Sequence, residues 1–146
     1  MDTRVEALRD DVSARAKSAL AELDAGGVPY AVTFTLRTQA EQIALFAQGR
    51  ETLEMVNAKR YKAQMPPITE ADNAYTVTQC DGINNYSPHQ QGRAIDVVPS
   101  ENGSPVWPDH ADPRWQQISA PFKEWGFKWG GDWTDFPDFP HYEIDT

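Results

Sequence analysis

The residues best suited to chemistry in this chain lie in one stretch, Tyr86 to Pro99, which reads Y-S-P-H-Q-Q-G-R-A-I-D-V-V-P. His89 sits in a polar loop broken by Gly92, and Asp96 interrupts the run Ala94-Ile95-Asp96-Val97-Val98, whose apolar pattern predicts a buried strand. An ionised carboxylate in such a run is costly unless a cation or strong hydrogen bonds compensate. A metal ion is one such cation. His89, seven residues upstream, can be a second ligand, although a histidine beside a glycine serves equally well as a hydrogen-bonded loop residue. A third donor stands near the C-terminus, where Asp138-Phe139-Pro140-His141-Tyr142-Glu143-Ile144 places His141 at the head of a short alternating run. A His89/Asp96/His141 set would leave tetrahedral zinc one open position for water, as in catalytic sites, and would lower that water's pKa towards ~7. Asp138, three residues before His141, can then act as the general base. Glu143 alternates onto the strand face of His141, either as a partner holding the imidazole or as a surface carboxylate.

These groups need a scaffold to bring them together. Val5, Leu8, Val12, Ala16, Leu20 and Leu23 recur at helical spacing up to a stop at Gly26-Gly27, predicting an amphipathic opening helix. Tyr30 to Leu36 alternates as a strand and delivers Arg37 to its end. Thr38-Gln39-Ala40-Glu41 has the form of a capping box for a second helix, ended by Gly49. Arg37 therefore stands between a strand end and a helix start, where ligands often bind; a surface arginine paired with a carboxylate is the alternative. Residues 51–62 are compatible with a helix, Met65-Pro66-Pro67-Ile68 is irregular, and Tyr75 to Cys80 reads as a second strand. Ser100 to Pro105 is turn chemistry, predicting a hairpin into Val106-Trp107.

Asp112-Pro113 opens a last helix in which Trp115, Ile118, Phe122 and Trp125 are expected to be core, up to Gly126. Phe127 to Trp133 reads as a strand running into a loop, and His141 to Ile144 as a final strand. Asp132 is expected in a turn and His110 in an exposed loop, while Trp129 and Trp133 either line a groove or are buried. The sum is an α+β domain with a small, mainly antiparallel sheet and about three helices.

At 146 residues the chain is most simply one domain, 1–146, able to bury a core without metal or disulfide staples, so a metal here is expected to be catalytic. A net charge of -9 with no basic cluster argues against nucleic acid. The single cysteine, Cys80, excludes an intramolecular disulfide and reads as packing. Met1 to Glu6 lacks the apolar segment of a signal peptide, and no window reaches the ~20 apolar residues of a membrane span. The expectation is a monomer made in the cytoplasm, with no membrane partner, that meets any external substrate only after release.

The ordered motifs S-x-H-x-x-G-x-A-x-D at Ser87 to Asp96, W-G-G-D-W at Trp129 to Trp133 and D-x-P-H-Y at Asp138 to Tyr142 resemble a zinc peptidase superfamily. That superfamily includes VanY-type D,D-carboxypeptidases, D-Ala-D-Ala dipeptidases and the L-alanyl-D-glutamate endopeptidases of bacteriophage lysis. R-T-x-x-x-Q at Arg37, Thr38 and Gln42 is similar to the endopeptidases in particular. The resemblance implies a hedgehog/D,D-peptidase-like fold and zinc on His89, Asp96 and His141, with Asp138 as general base. It also implies that Arg37, with Gln42 and Ser87, faces the substrate, although a plain turn role suits Ser87 equally. Many relatives carry glutamate where Asp138 stands, so the shorter side chain must be compensated by backbone placement. The stretch from Glu51 to Asp81 is longer than a minimal phage enzyme needs, and no separate cell-wall-binding domain is expected after His141.

What the resemblance implies is a zinc peptidase cutting the stem peptide of peptidoglycan at the L-Ala-D-Glu bond, as an endolysin does. Its rivals are D-Ala-D-Ala carboxypeptidase or dipeptidase chemistry, and a zinc-containing binding domain without hydrolysis. Against the last, a base beside an open coordination site has no use in a pure binder.

Overall fold

A computed structural model describes every residue from Met1 to Thr146, in two compact units. One comprises Asp2–Leu36 with Gly92–Thr146, and the other Met1 with Arg37–Gln91.

The first unit holds the sheet. Helix α1, Asp10–Ala25, buries Val12, Ala16, Ala19, Leu20 and Leu23 along one stripe and begins with Asp10 and Asp11, whose charges suit a helix N-terminus. Strand β1, Tyr30–Phe34, pairs antiparallel with β2, Ala94–Glu101. The short β3, Ser104–Pro105, folds back on the end of β2. Helix α4, Pro113–Glu124, starts on an Asp112 cap that accepts from the Arg114 N–H at 2.9 Å, with proline at the first turn. Strands β4, Lys128–Trp129, and β5, His141–Glu143, complete an antiparallel order β1-β2-β5-β4. β2 is therefore interior, which explains its near-continuous apolar run and makes a carboxylate at its centre conspicuous. The core packs the α1 stripe with Ile95, Val97 and Val98 of β2, Trp115, Ile118 and Phe122 of α4, and Trp129 and Tyr142.

Several expectations for this unit shift. The opening helix starts at Asp10 rather than Val5, because the Arg9 N–H donates to the Gly92 carbonyl at 2.9 Å. Val5–Ala7 form a separate 3-10 turn, and Leu8 is buried nonetheless. The strand expected from Phe127 to Trp133 stops at Trp129, where Gly130–Asp132 turn as a 3-10 helix. The hairpin return is Ser104–Pro105 rather than Val106-Trp107, and Val106 N–H still reaches the Pro99 carbonyl at 2.9 Å. Trp125, expected in the core, lies at the α4 C-cap, 40% exposed, with its indole N–H on Glu22.

The second unit carries helix α2, Gln39–Ala47, and helix α3, Leu53–Lys62. Both halves of the Thr38/Glu41 capping box form. α3 is the compatible segment after Glu51, capped by Thr52, and brings the helices to four within the expected α+β class. The strand expected at Tyr75 to Cys80 is not formed. No neighbouring strand serves it, and the Gln42 amide takes over, donating to Thr78 Oγ1 at 3.0 Å and the Cys80 carbonyl at 2.8 Å. The irregular segment is tied down in the same way elsewhere: Asn57 bonds both the N–H and the carbonyl of Ile68, and Gln48 donates to the Asp72 carbonyl.

Candidate metal centre

Asp96 and His141 are cross-strand neighbours by register, Asp96 on β2 facing His141 on β5. Directly opposed residues on an antiparallel pair bring their side chains within reach of each other, and His141 Nδ1 lies 3.3 Å from Asp96 Oδ1. The other ring nitrogen, Nε2, lies 2.8 Å from Glu143 Oε1, two residues along the same strand face. Glu143 is held in turn by Arg93, whose Nη1 is 3.3 Å from Oε2 and also donates to the Ile144 carbonyl at 2.9 Å. The spacing of Glu143 offered two readings, and the structure places it on the imidazole. Arg93 was not singled out in the sequence; its position between Gly92 and the strand was the only signal.

The electrostatics follow from this packing. Burial pushes the His141 imidazole down, but hydrogen bonds to Asp96 and Glu143, with the charges of Asp96 and Asp138, raise it to about 9. The hydrogen bond from His141 outweighs burial at Glu143 and holds its carboxyl low. Three carboxylates thus converge on one imidazole, an environment that favours positive charge. In the metal-free protein the His141 proton stabilises the fold. That contribution is complete below the ordinary histidine value of ~6.5 and is lost as pH rises through about 9. Thermal melts of chelated protein are therefore expected to fall from pH 6.5 to pH 9. Zinc uptake must displace that proton, so affinity is expected to climb over the same interval. A midpoint flat across the window would refute the coupling.

Asp138 is exposed, and its backbone is anchored on both sides. Its N–H donates to the Gly130 carbonyl at 2.9 Å, and its own carbonyl accepts from the His141 N–H at 3.2 Å. Gly130 permits this seat, since a Cβ there would collide with the Asp138 carbonyl and lie 3.1 Å from the Asp138 Cβ. Gly131 similarly leaves room for the Trp129 ring. The two glycines of W-G-G-D-W, legible in the sequence only as a turn, thereby set the height of the Asp138 backbone. Trp129 is buried, its indole N–H on the Phe139 carbonyl at 2.7 Å. Trp133 is 40% exposed with its ring 5.3 Å from that of His141. His110, exposed as expected, stacks on Phe139 at 4.0 Å, a contact the sequence did not suggest.

His89 is buried in a turn that its neighbours build. Ser87 Oγ accepts from the His89 N–H at 3.2 Å, Gln90 Oε1 accepts from the Ser87 N–H at 3.0 Å, and the His89 carbonyl accepts from the Arg37 N–H at 3.1 Å. Gly92, at φ +68°, turns the chain into β2. Ser87 is itself buried and organises the histidine turn. Arg37 Nη1 donates to Gln42 Oε1 at 2.9 Å.

Gln42, expected to touch substrate, is fully buried with its oxygen on Arg37 and its nitrogen on Thr78 and Cys80. The structure thus assigns it to holding the guanidinium. Gln42→Leu keeps the volume but removes the three hydrogen bonds to Arg37, Thr78 and Cys80, and is expected to destabilise the protein by about 2–4 kcal/mol. An unchanged melting midpoint would contradict this.

The donor atoms of His89, Asp96 and His141 all lie within 4.8 Å of one another. Two imidazoles and a carboxylate form a nitrogen/oxygen set of the kind zinc accepts. Asp96, with a side chain only 14% exposed on an interior strand, is an anion the fold must compensate.

Comparison with known proteins agrees with the resemblance carried by the motifs. Residues 81–144 match the family described as D-alanyl-D-alanine carboxypeptidase. The chain is 30% identical over 125 residues to the peptidoglycan L-alanyl-D-glutamate endopeptidase CwlK of Bacillus subtilis (strain 168), across 81% of this chain and 62% of the relative. It is 24% identical over 140 residues to the L-alanyl-D-glutamate peptidase of Listeria phage A118, across 96% of this chain and 39% of the relative. The chain thus spans less than two thirds of the length of either. The vancomycin-resistance D,D-pentapeptidase VanY of a VanB-type cassette, a E175A mutant solved with Zn(II), shares the fold: TM-score 0.55, 19% identity, covering 94% of this chain and 72% of that one.

Proposed function

We propose that this chain, similar over residues 81–144 to D-alanyl-D-alanine carboxypeptidases, is a zinc peptidase that hydrolyses the stem peptide of peptidoglycan. The observation that carries the reading is the His89/Asp96/His141 donor set beside Asp138, a carboxylate held by its backbone and open to solvent. The bond is the L-Ala-D-Glu bond, because both curated relatives are named for that cleavage.

Zinc held by His89, Asp96 and His141 supplies Lewis acidity towards the attacking water and the scissile carbonyl. Glu143 on Nε2 fixes the His141 ring so that Nδ1 faces Asp96. The Asp138 carboxylate takes the proton from water as it attacks and returns it to the departing amine. The Arg37 guanidinium, held by Gln42, meets either the oxygen on which negative charge develops or a substrate carboxylate, and a charge-assisted contact of the first kind strengthens towards the transition state. A chain of net charge -9 supplies few other cations for an anionic peptide.

The chain acts as a single catalytic domain and a monomer that needs neither nucleic acid nor membrane; no helix is long and apolar enough to cross a membrane. It is made in the cytoplasm and reaches the wall on release during phage or prophage lysis, as the phage relative suggests.

The test combines metal analysis of purified protein with mass spectrometry of products from defined muropeptides. One equivalent of zinc, chelator-sensitive cleavage and a fragment ending in L-Ala are expected. The family description favours a second reading, release of terminal D-Ala, which the same spectra would reveal. An absence of cleavage would leave only a binding domain, and chelator-insensitive cleavage would remove the zinc mechanism.

A further inference from the structure

The loop from Trp133 to Asp138 is pinned at both ends on one acceptor. The N–H groups of Trp133 and Asp138 both donate to the Gly130 carbonyl, at 3.2 and 2.9 Å. Between the pins, Thr134, Asp135, Phe136 and Pro137 are all exposed. Phe136 is the extreme case, 83% exposed and with a backbone φ of +50°. A residue with a side chain is strained in that region, and the proline that follows favours an extended conformation for it instead. A large apolar ring left in water also forgoes the gain of burial. The fold thus holds an aromatic side chain outward against both preferences, and strain of this kind gathers at functional sites.

The ends of the loop show where that ring is displayed. Trp133 lies against the His141 imidazole, and the Asp138 carbonyl accepts from the His141 N–H. A loop anchored at one end on the proposed base and at the other on a ring packed against a proposed metal ligand borders the reacting centre.

We infer that Phe136 contacts the substrate and determines specificity, its ring giving apolar surface to the methyl of the alanine at the scissile bond. This rests on the peptidase reading above. Among the residues of the stem peptide the alanines are small and apolar, whereas glutamate carries a charge that an aromatic ring beside the Asp138 carboxylate has no means to recognise. A carboxylate is better met by a cation such as Arg37.

The test uses zinc-loaded wild type, Phe136→Ser and Phe136→Tyr on two synthetic stem peptides, with alanine or glycine on the N-terminal side of the cleaved bond. Wild type is expected to prefer alanine by roughly 10-fold in kcat/KM, the scale of one methyl in an apolar contact. Phe136→Ser should bring the ratio close to one mainly through KM, with zinc content and melting midpoint unchanged, since the exposed ring has no role in the core. Phe136→Tyr should keep the preference. An alanine-to-glycine ratio unchanged in Phe136→Ser, or a loss of activity on both peptides accompanied by lower zinc content or a lower midpoint, would overturn the inference while leaving the peptidase reading intact. Failure of the reading itself looks different: wild type then cleaves neither peptide, and the inference goes with it.

Discussion

Asp138→Asn is expected to bind zinc as the parent does and to hydrolyse stem peptide about 10²–10⁴-fold more slowly, the usual contribution of a positioned general base. The substitution preserves the shape of the side chain and both backbone hydrogen bonds that seat it, the donation to Gly130 and the acceptance from His141. It removes the capacity to take a proton. One secondary effect has a definite sign. Asp138 is among the charges that raise His141, so without it the imidazole gives up its proton at a lower pH. Single-turnover kinetics together with metal analysis would check both halves, and a fully active Asp138→Asn protein would remove the base assignment.

His141→Ala should have a larger effect on the centre as a whole. It deletes a proposed ligand and leaves Asp96 and Glu143, which both lie against the imidazole, without their shared partner. Loss of a ligand should weaken zinc by more than the 10–100-fold typical of changes to the groups behind a ligand. Stranding partly buried charge is expected to cost about 3–5 kcal/mol. Arg93 offsets part of this through Glu143. Isothermal titration with zinc and melting in chelator separate the two effects. Zinc affinity within a few-fold of wild type would exclude His141 as a ligand.

The pairing of Asp96, His141 and Glu143 is legible in the sequence. Asp96 stood out because a charge in an apolar run needs a partner, and strand alternation put Glu143 on the face of His141. α1, α4 and the strand around Asp96 carried strong periodicity, so their packing followed from the pattern. The misreadings share a cause. Tyr75 to Cys80 has the composition of a strand, but its hydrogen bonds go to the Gln42 side chain, a long-range exchange that no local pattern encodes. The spacing of Gln42 from Arg37 matches a substrate-side motif, and motif spacing does not distinguish a residue that touches a ligand from one that holds its neighbour. Trp125 has helical spacing but falls just past the last residue of α4, at its C-cap, where the chain turns away and the ring is left half in solvent.

The seat at Gly130 bears on how such enzymes can exchange one acid for another. A glutamate at position 138 would carry its carboxyl about 1.5 Å farther, one carbon–carbon bond, from a backbone already drawn in as close as a bare α-carbon allows. Asp138→Glu alone should therefore overshoot, and a lengthened acid would require the turn beneath it to retreat. Chain length at one position and bulk at another are then a single inherited unit, and a swap at either position by itself passes through a poor catalyst.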